Sequence, residues 1–130
     1  MKTLLFVHDV QASPTPRVQY LEIAGYKVIA LASATEALRA ISQNRPDMVL
    51  TDVLVEGMNG FQLCAEVRKH ADAAQLPLVI FSGIYRGRSY REEAYNVGAQ
   101  EFLASPVNLD EMVTTVQRLF VQDSAERLAG

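Results

Sequence analysis

Met48-Val-Leu-Thr-Asp52-Val-Leu-Val-Glu-Gly-Met-Asn-Gly60 sets a short apolar run against a carboxylate and follows it with a loop ending in glycine. A run with so little polar–apolar alternation suits a strand covered on both faces, as in a parallel sheet, although periodicity alone does not separate it from a buried helix. Past Gly60 the period changes: Phe61, Leu63, Cys64 and Val67 recur at helical spacing. The same grammar appears on either side. Leu4–Val7, Lys27–Leu31, Leu78–Phe81 and Phe102–Ala104 are further short apolar runs. Val18, Leu21 and Ile23 follow the first, Ala37, Leu38 and Ile41 the second, and Met112, Val113, Val116, Leu119 and Phe120 the last.

Turn and cap residues agree with that division. Ser33-Ala-Thr-Glu36 has the spacing of a capping box, and Asn108-Leu-Asp-Glu111 repeats it before the final helix. Pro14 and Pro16 fit a first helical turn, because proline has no N–H to donate. Gly25, Asn44 and Gly98 stand where helices should stop. Gly83–Ser89 is the least regular stretch and is expected to be a loop. Strands alternating with helices predict an α/β doubly wound sandwich around a parallel sheet.

At 130 residues the chain is one domain's worth, and 49% hydrophobic against 21% charged residues describes a folded globule. The single Cys64 excludes an internal disulfide, and no Cys/His spacing fits zinc. Twelve basic against fifteen acidic residues leave a net charge of −3, so nothing favours general nucleic-acid binding. No apolar run approaches the ~18 residues of a membrane span, and the amino-terminal run is too short for a signal peptide. The expectation is a cytoplasmic, reduced, single-domain protein: a folded unit over 1–122 and, over 123–130, a helix extension or frayed tail.

Ligands of doubly wound folds bind at the carboxyl ends of the strands, where strand order reverses. That rule singles out His8 and Asp9, Asp52, Ser82 and Ser105. Two carboxylates from separate strands repel unless a cation or proton joins them. Hard oxygen donors suit Mg²⁺. On spacing alone, a cation site and two solvated strand ends stand level.

Three segments, in order and with fitting gaps, resemble the receiver domain of response regulators over about residues 2–121. Asp52-Val-Leu-Val-Glu-Gly-Met-Asn-Gly60 is similar to the family's phosphoacceptor segment. Leu78-Val-Ile-Phe-Ser82-Gly83 is similar to its fourth strand, and Gly98-Ala-Gln-Glu-Phe102-Leu-Ala-Ser105-Pro106 to the stretch carrying a lysine–proline pair. The resemblance implies a flavodoxin-like fold with strand order 2-1-3-4-5 and five helices. It implies Asp52 as phosphoacceptor, Asp9 and the Leu54 carbonyl as further Mg²⁺ ligands, Ser82 as a phosphoryl hydrogen-bond donor and Phe102 as the switch aromatic. It implies a cis Ser105–Pro106 bond, a histidine kinase or phosphotransfer protein as donor, a downstream protein target, and homodimerisation through the face of the fourth helix, fifth strand and fifth helix. No nucleic acid, no membrane and no enzyme activity beyond self-catalysed phosphotransfer and dephosphorylation are expected.

Four positions depart from the family pattern. His8 stands in place of an acid, and imidazole is a poor Mg²⁺ ligand, so metal affinity should fall or shift toward Mn²⁺. Ser105 stands in place of the lysine and brings no charge. Glu56 replaces a loop proline, and Phe102 lacks a tyrosine hydroxyl. Protonated His8, Arg86 or Arg88 are the cations considered for the vacant role. The expectation is a weakly switching, stand-alone phosphoacceptor, with a phosphorylation-independent pseudo-receiver acting as an interaction module as the alternative. A hydrolase with Asp52 as nucleophile is disfavoured, since Leu54 stands where such phosphatases keep a second acid. Arg86, Arg88 and Arg91, with Tyr85 and Tyr90, read as a protein-contact or solvated face. Cys64 reads as a buried thiol, and His70 as a residue suited to a helix end.

Overall fold

The computed structural model describes residues 1–85 and 87–129, with side chains through residue 122. Among these lie five strands: β1 (Thr3–Val7), β2 (Lys27–Leu31), β3 (Met48–Asp52), β4 (Leu78–Phe81) and β5 (Glu101–Leu103). They alternate with helices α1 (Thr15–Ile23), α2 (Ala34–Gln43), α3 (Gly60–Arg68), α4 (Arg88–Asn96) and α5 (Leu109–Ala129). The strands are all parallel in the order β2-β1-β3-β4-β5. The chain steps from β1 outward to β2 and then crosses back to β3. The carboxyl ends of β1 and β3 therefore flank the switch point where such folds open a crevice.

Side-chain alternation divides the core in two. Leu4, Phe6, Met48, Leu50, Val79 and Phe81 pack with Leu21 of α1 and Met112, Val116 and Leu119 of α5. Their opposite-face neighbours Leu5, Val7, Val49, Leu78 and Ile80 pack with Ala37, Leu63, Val67 and Ala94 of α2, α3 and α4. Each fully buried Leu, Ile or Phe contributes about 1.5–3 kcal/mol of transfer free energy. The interior strands β3 and β4 are buried along their whole lengths, as two-sided coverage requires.

Several local expectations are corrected. β2 has β1 as its only neighbour and is half open, with Ile29 39% exposed. Its apolar composition therefore does not mean coverage on both faces. Ile23 ends α1 and faces solvent, leaving Leu21 as that helix's buried anchor. Ser33 Oγ accepts the Glu36 N–H at 3.1 Å and Asn108 Oδ1 the Glu111 N–H at 3.0 Å. Neither glutamate returns the bond. The reciprocal box forms instead at Asn59 and Gln62, opening α3 with bonds of 2.8 and 2.9 Å. Arg88 and Ser89, expected in a loop, already belong to α4, and β5 runs Glu101–Leu103 rather than Phe102–Ala104. Gly25 and Gly98 do stop α1 and α4, with φ near +106° and +101°. No helix among the described residues is long and apolar enough to cross a membrane.

Candidate functional site

β1 and β3 run side by side with Val7 opposite Thr51, so Asp9 and Asp52 leave adjacent strands at one rim. Asp52, the last residue of β3, is 5% exposed and receives the Leu54 N–H on Oδ1 at 3.0 Å. Burial pushes its carboxyl above the usual range, and the Asp9 charge adds to that push. The Leu54 N–H, the Arg17 guanidinium and the Val53 N–H pull the other way. Asp9 is more open, and its Oδ1 accepts the Gln11 N–H at 2.9 Å. The His8 ring stacks on Phe6, with Nδ1 3.0 Å from the Asp9 carbonyl oxygen.

An open cleft of about 530 Å³ lies over this rim, lined in part by Asp9, Gln11, Leu54, Glu56 and Asn59. A groove of about 370 Å³ between α2 and α3 is lined by residues including Leu38, Ile41 and Val67, away from the strand ends. Chemistry belongs to the first. Among the described residues no three His, Cys, Asp or Glu side chains cluster to hold a metal. The two carboxylates, one of them buried, form an all-oxygen donor set that fits a hard divalent cation. Asp9, Asp52 and the Leu54 carbonyl would hold it, with water completing the shell.

The remaining positions gather around the ends of β4 and β5. Ser82 is 1% exposed, and its Oγ accepts the N–H groups of Ile84 and Tyr85 at 3.1 and 2.7 Å. Ser105 Oγ donates to the Gly83 carbonyl at 3.0 Å, and the Ser105–Pro106 bond is cis. Phe102 is 1% exposed and packs on the α2-α3-α4 side. Gly60 closes the loop after Asp52. A Cβ there would lie 2.3 Å from the Asp52 carbonyl oxygen, so the close passage of α3 behind the acid admits only glycine.

Arg88 lies exposed at the start of α4, and Arg86 falls outside the described residues. Arg17 escaped sequence reasoning. It sits in the first turn of α1, and its guanidinium carbon is 5.4 Å from the centroid of the Phe81 ring. Phe81 is the residue paired with Asp52 across β3 and β4. The available signal was its place: a helix start over the same rim, in a chain whose β5 end offers serine instead of a cation.

The response regulator receiver domain model matches residues 4–117. Response regulator Rre1 of Synechocystis sp. is 30% identical over 130 residues, covering 98% of this chain and 55% of the relative. Transcriptional regulatory protein YvrH of Bacillus subtilis is 28% identical over 116 residues, covering 88% of this chain and 47% of the relative. The chain thus spans about half the length of these curated relatives. A CheY-like receiver domain protein from Methanospirillum hungatei superposes with a TM-score of 0.86 at 25% identity, covering 97% of this chain and 98% of that one. Chemotaxis response regulator CheY4 of Vibrio cholerae gives 0.81 at 28%, covering 92% and 98%. A parallel 2-1-3-4-5 sheet with two acids at its switch point places the chain in the doubly wound α/β class. This chain belongs to the response regulator receiver domain family of two-component signalling. Receiver domains generally bind Mg²⁺ in their acidic pocket, and the family transmits signals rather than turning over substrates as a classical enzyme does.

Proposed function

We propose that this receiver domain takes a phosphoryl group onto Asp52 from the phosphohistidine of a histidine kinase or phosphotransfer protein and signals by protein–protein contact. One observation carries the reading. Asp52 is a nearly buried carboxylate at the switch point, oriented by the Leu54 N–H, with Asp9 on the adjacent strand. In the transfer, a carboxylate oxygen of Asp52 forms a bond to phosphorus as the donor's N–P bond breaks. The imidazole leaves with the electron pair and is reprotonated by solvent. Asp9, Asp52 and the Leu54 carbonyl would hold a divalent cation, which would supply positive charge to the phosphoryl oxygens. Ser82 keeps its hydroxyl proton free to donate to one of those oxygens, because its two protein contacts use the oxygen as acceptor.

The switch is weaker than the family's. Ser105 spends its hydroxyl on the Gly83 carbonyl and brings no charge, and Phe102 responds through packing alone. Output would pass through α4, β5 and α5, where Tyr85 and Tyr90 stack at 4.9 Å beside Arg88 and Arg91, either to a downstream protein or to a second copy. Incubation with acetyl phosphate and Mg²⁺ followed by intact mass should yield one adduct that is lost in Asp52→Asn. Absence of an adduct, with Mn²⁺ as well, would favour the second reading, a phosphorylation-independent interaction module. Ser105, with no charge and its hydroxyl already engaged, is the observation on that side.

A further inference from the structure

The charge count at the site leaves a vacancy, since neither Ser105 nor any other residue of the β5 end carries a cation to Asp52. Arg17 approaches from α1. Its guanidinium stacks on Phe81, and a side chain built at Gly83 would begin 3.9 Å from its Nη2. Asp52 and Phe81 are register partners and project to the same sheet face, the one that α1 covers. The guanidinium thus lies at the end of β4, against the ring paired with Asp52 and on the sheet face to which the carboxylate projects. Among the described residues Arg17 forms neither an ion pair nor a side-chain hydrogen bond, so its planar fork of donors is uncommitted. Arginine offers such forks bidentately to phosphate.

We infer that Arg17 is the cation of this phosphoacceptor site, its guanidinium binding the non-bridging oxygens of the phosphoryl group on Asp52. The inference rests on the phosphoacceptor reading above. It also redirects the signal: a phosphoryl group that draws on Arg17 pulls at α1 and at the Phe81 ring, not at the Ser105–Pro106 turn.

The test is a beryllofluoride titration of the full chain in the presence of Mg²⁺, followed by ¹⁹F NMR, beside a titration with Mg²⁺ alone followed by amide shifts. Arg17→Gln should weaken beryllofluoride about tenfold, the scale of one charged hydrogen-bonding partner. The same variant should bind Mg²⁺ alone more tightly, because a competing positive charge has gone. A residue that only props up the fold would weaken both. Arg17→Met, which keeps an apolar stem over Phe81, should repeat the loss and serves if the glutamine variant does not fold. Adding Ser105→Lys to either variant should restore affinity. Unchanged beryllofluoride affinity in both neutral variants, loss of both ligands together, or no rescue by Ser105→Lys overturns the inference and leaves the phosphoacceptor reading standing. Failure of the unaltered chain to bind beryllofluoride, or equal binding by Asp52→Asn, overturns that reading and this inference with it.

Discussion

The hydroxyl oxygen of Ser82 accepts the backbone N–H of Tyr85 at 2.7 Å and, with the Ile84 N–H at 3.1 Å, fixes the first turn after β4. Tyr85 carries that turn outward: its carbonyl accepts the Ser105 N–H at 3.2 Å, and its ring stacks on Tyr90 of α4. A side chain proposed to serve the phosphoryl group is therefore also the peg of the β4–α4 loop. Movement of Ser82 toward the acid would reach α4 through the Tyr85 N–H bond and the Tyr85–Tyr90 stack.

Ser82→Ala should lower the unfolding free energy by about 1 kcal/mol, the net worth of a lost side-chain acceptor. Urea denaturation measures it. Amide exchange at Ile84 and Tyr85 should accelerate while α2 is unaffected. Equal exchange rates in the variant would mean that the turn holds itself without the hydroxyl.

Gly60→Ala should be far more damaging than its size suggests. The added methyl would lie 2.3 Å from the Asp52 carbonyl oxygen and 3.2 Å from the Val53 Cα, both backbone atoms that no rotamer can move. α3 must back away, stretching the 2.8 Å bond from the Gly60 N–H to the Val53 carbonyl. A loss of about 3 kcal/mol is expected, at the upper end for overpacking. The same displacement should change the Asp52 backbone shifts. A variant as stable as the parent, with those shifts unmoved, would refute the close passage.

Much of this molecule was legible in its residues, for identifiable reasons. Short apolar runs gave the strands because β3 and β4 are buried on both faces, where composition and burial coincide. The same cue failed on β2, since an apolar edge strand looks identical to a central one in sequence. Asp9, Asp52 and Ser82 were foreseeable at one rim because topology sends strand ends there. Arg17 was not, because a helix residue reaches that rim only through side-chain length and the path of α1, neither of which periodicity encodes. The reciprocal cap at Asn59 and Gln62 was missed while the one-sided Ser33 cap was read as a box; spacing alone does not say whether the third residue turns back.

Asp52→Asn should stabilise the metal-free protein. Burial is the largest influence on the carboxyl, and Asp9 adds to it, so the ionised acid is held at a cost that the amide avoids. The amide oxygen can still accept the Leu54 N–H. A gain of about 1 kcal/mol is expected, typical of relieving a destabilised functional site. Added Mg²⁺ should raise the midpoint of the parent and leave the variant nearly unchanged, closing the gap. Destabilisation by the substitution in metal-free buffer would show that the Arg17 charge outweighs burial.

Cys64 makes the stability of the fold fall with pH on the alkaline side. Its thiol is fully buried in α3, with Sγ donating to the Val97 carbonyl at 3.3 Å. Burial raises its pKa from 9.0 to about 11, with the Arg68 guanidinium pulling weakly the other way. An unfolded thiol ionises near its ordinary value, whereas the folded one keeps its proton for about two further pH units. The stabilisation from the buried neutral thiol is therefore complete below about pH 9 and lost as pH rises to about 11. At 1.36 kcal/mol per unit this amounts to about 2 kcal/mol between pH 8 and pH 11. Urea midpoints of the parent and of Cys64→Ala across that range should differ in slope by this amount, the alanine variant being flatter even though it starts less stable. Parallel slopes would show that the thiol does not carry the effect, and rapid alkylation of the native protein by iodoacetamide at pH 8 would show that it is not sequestered at all.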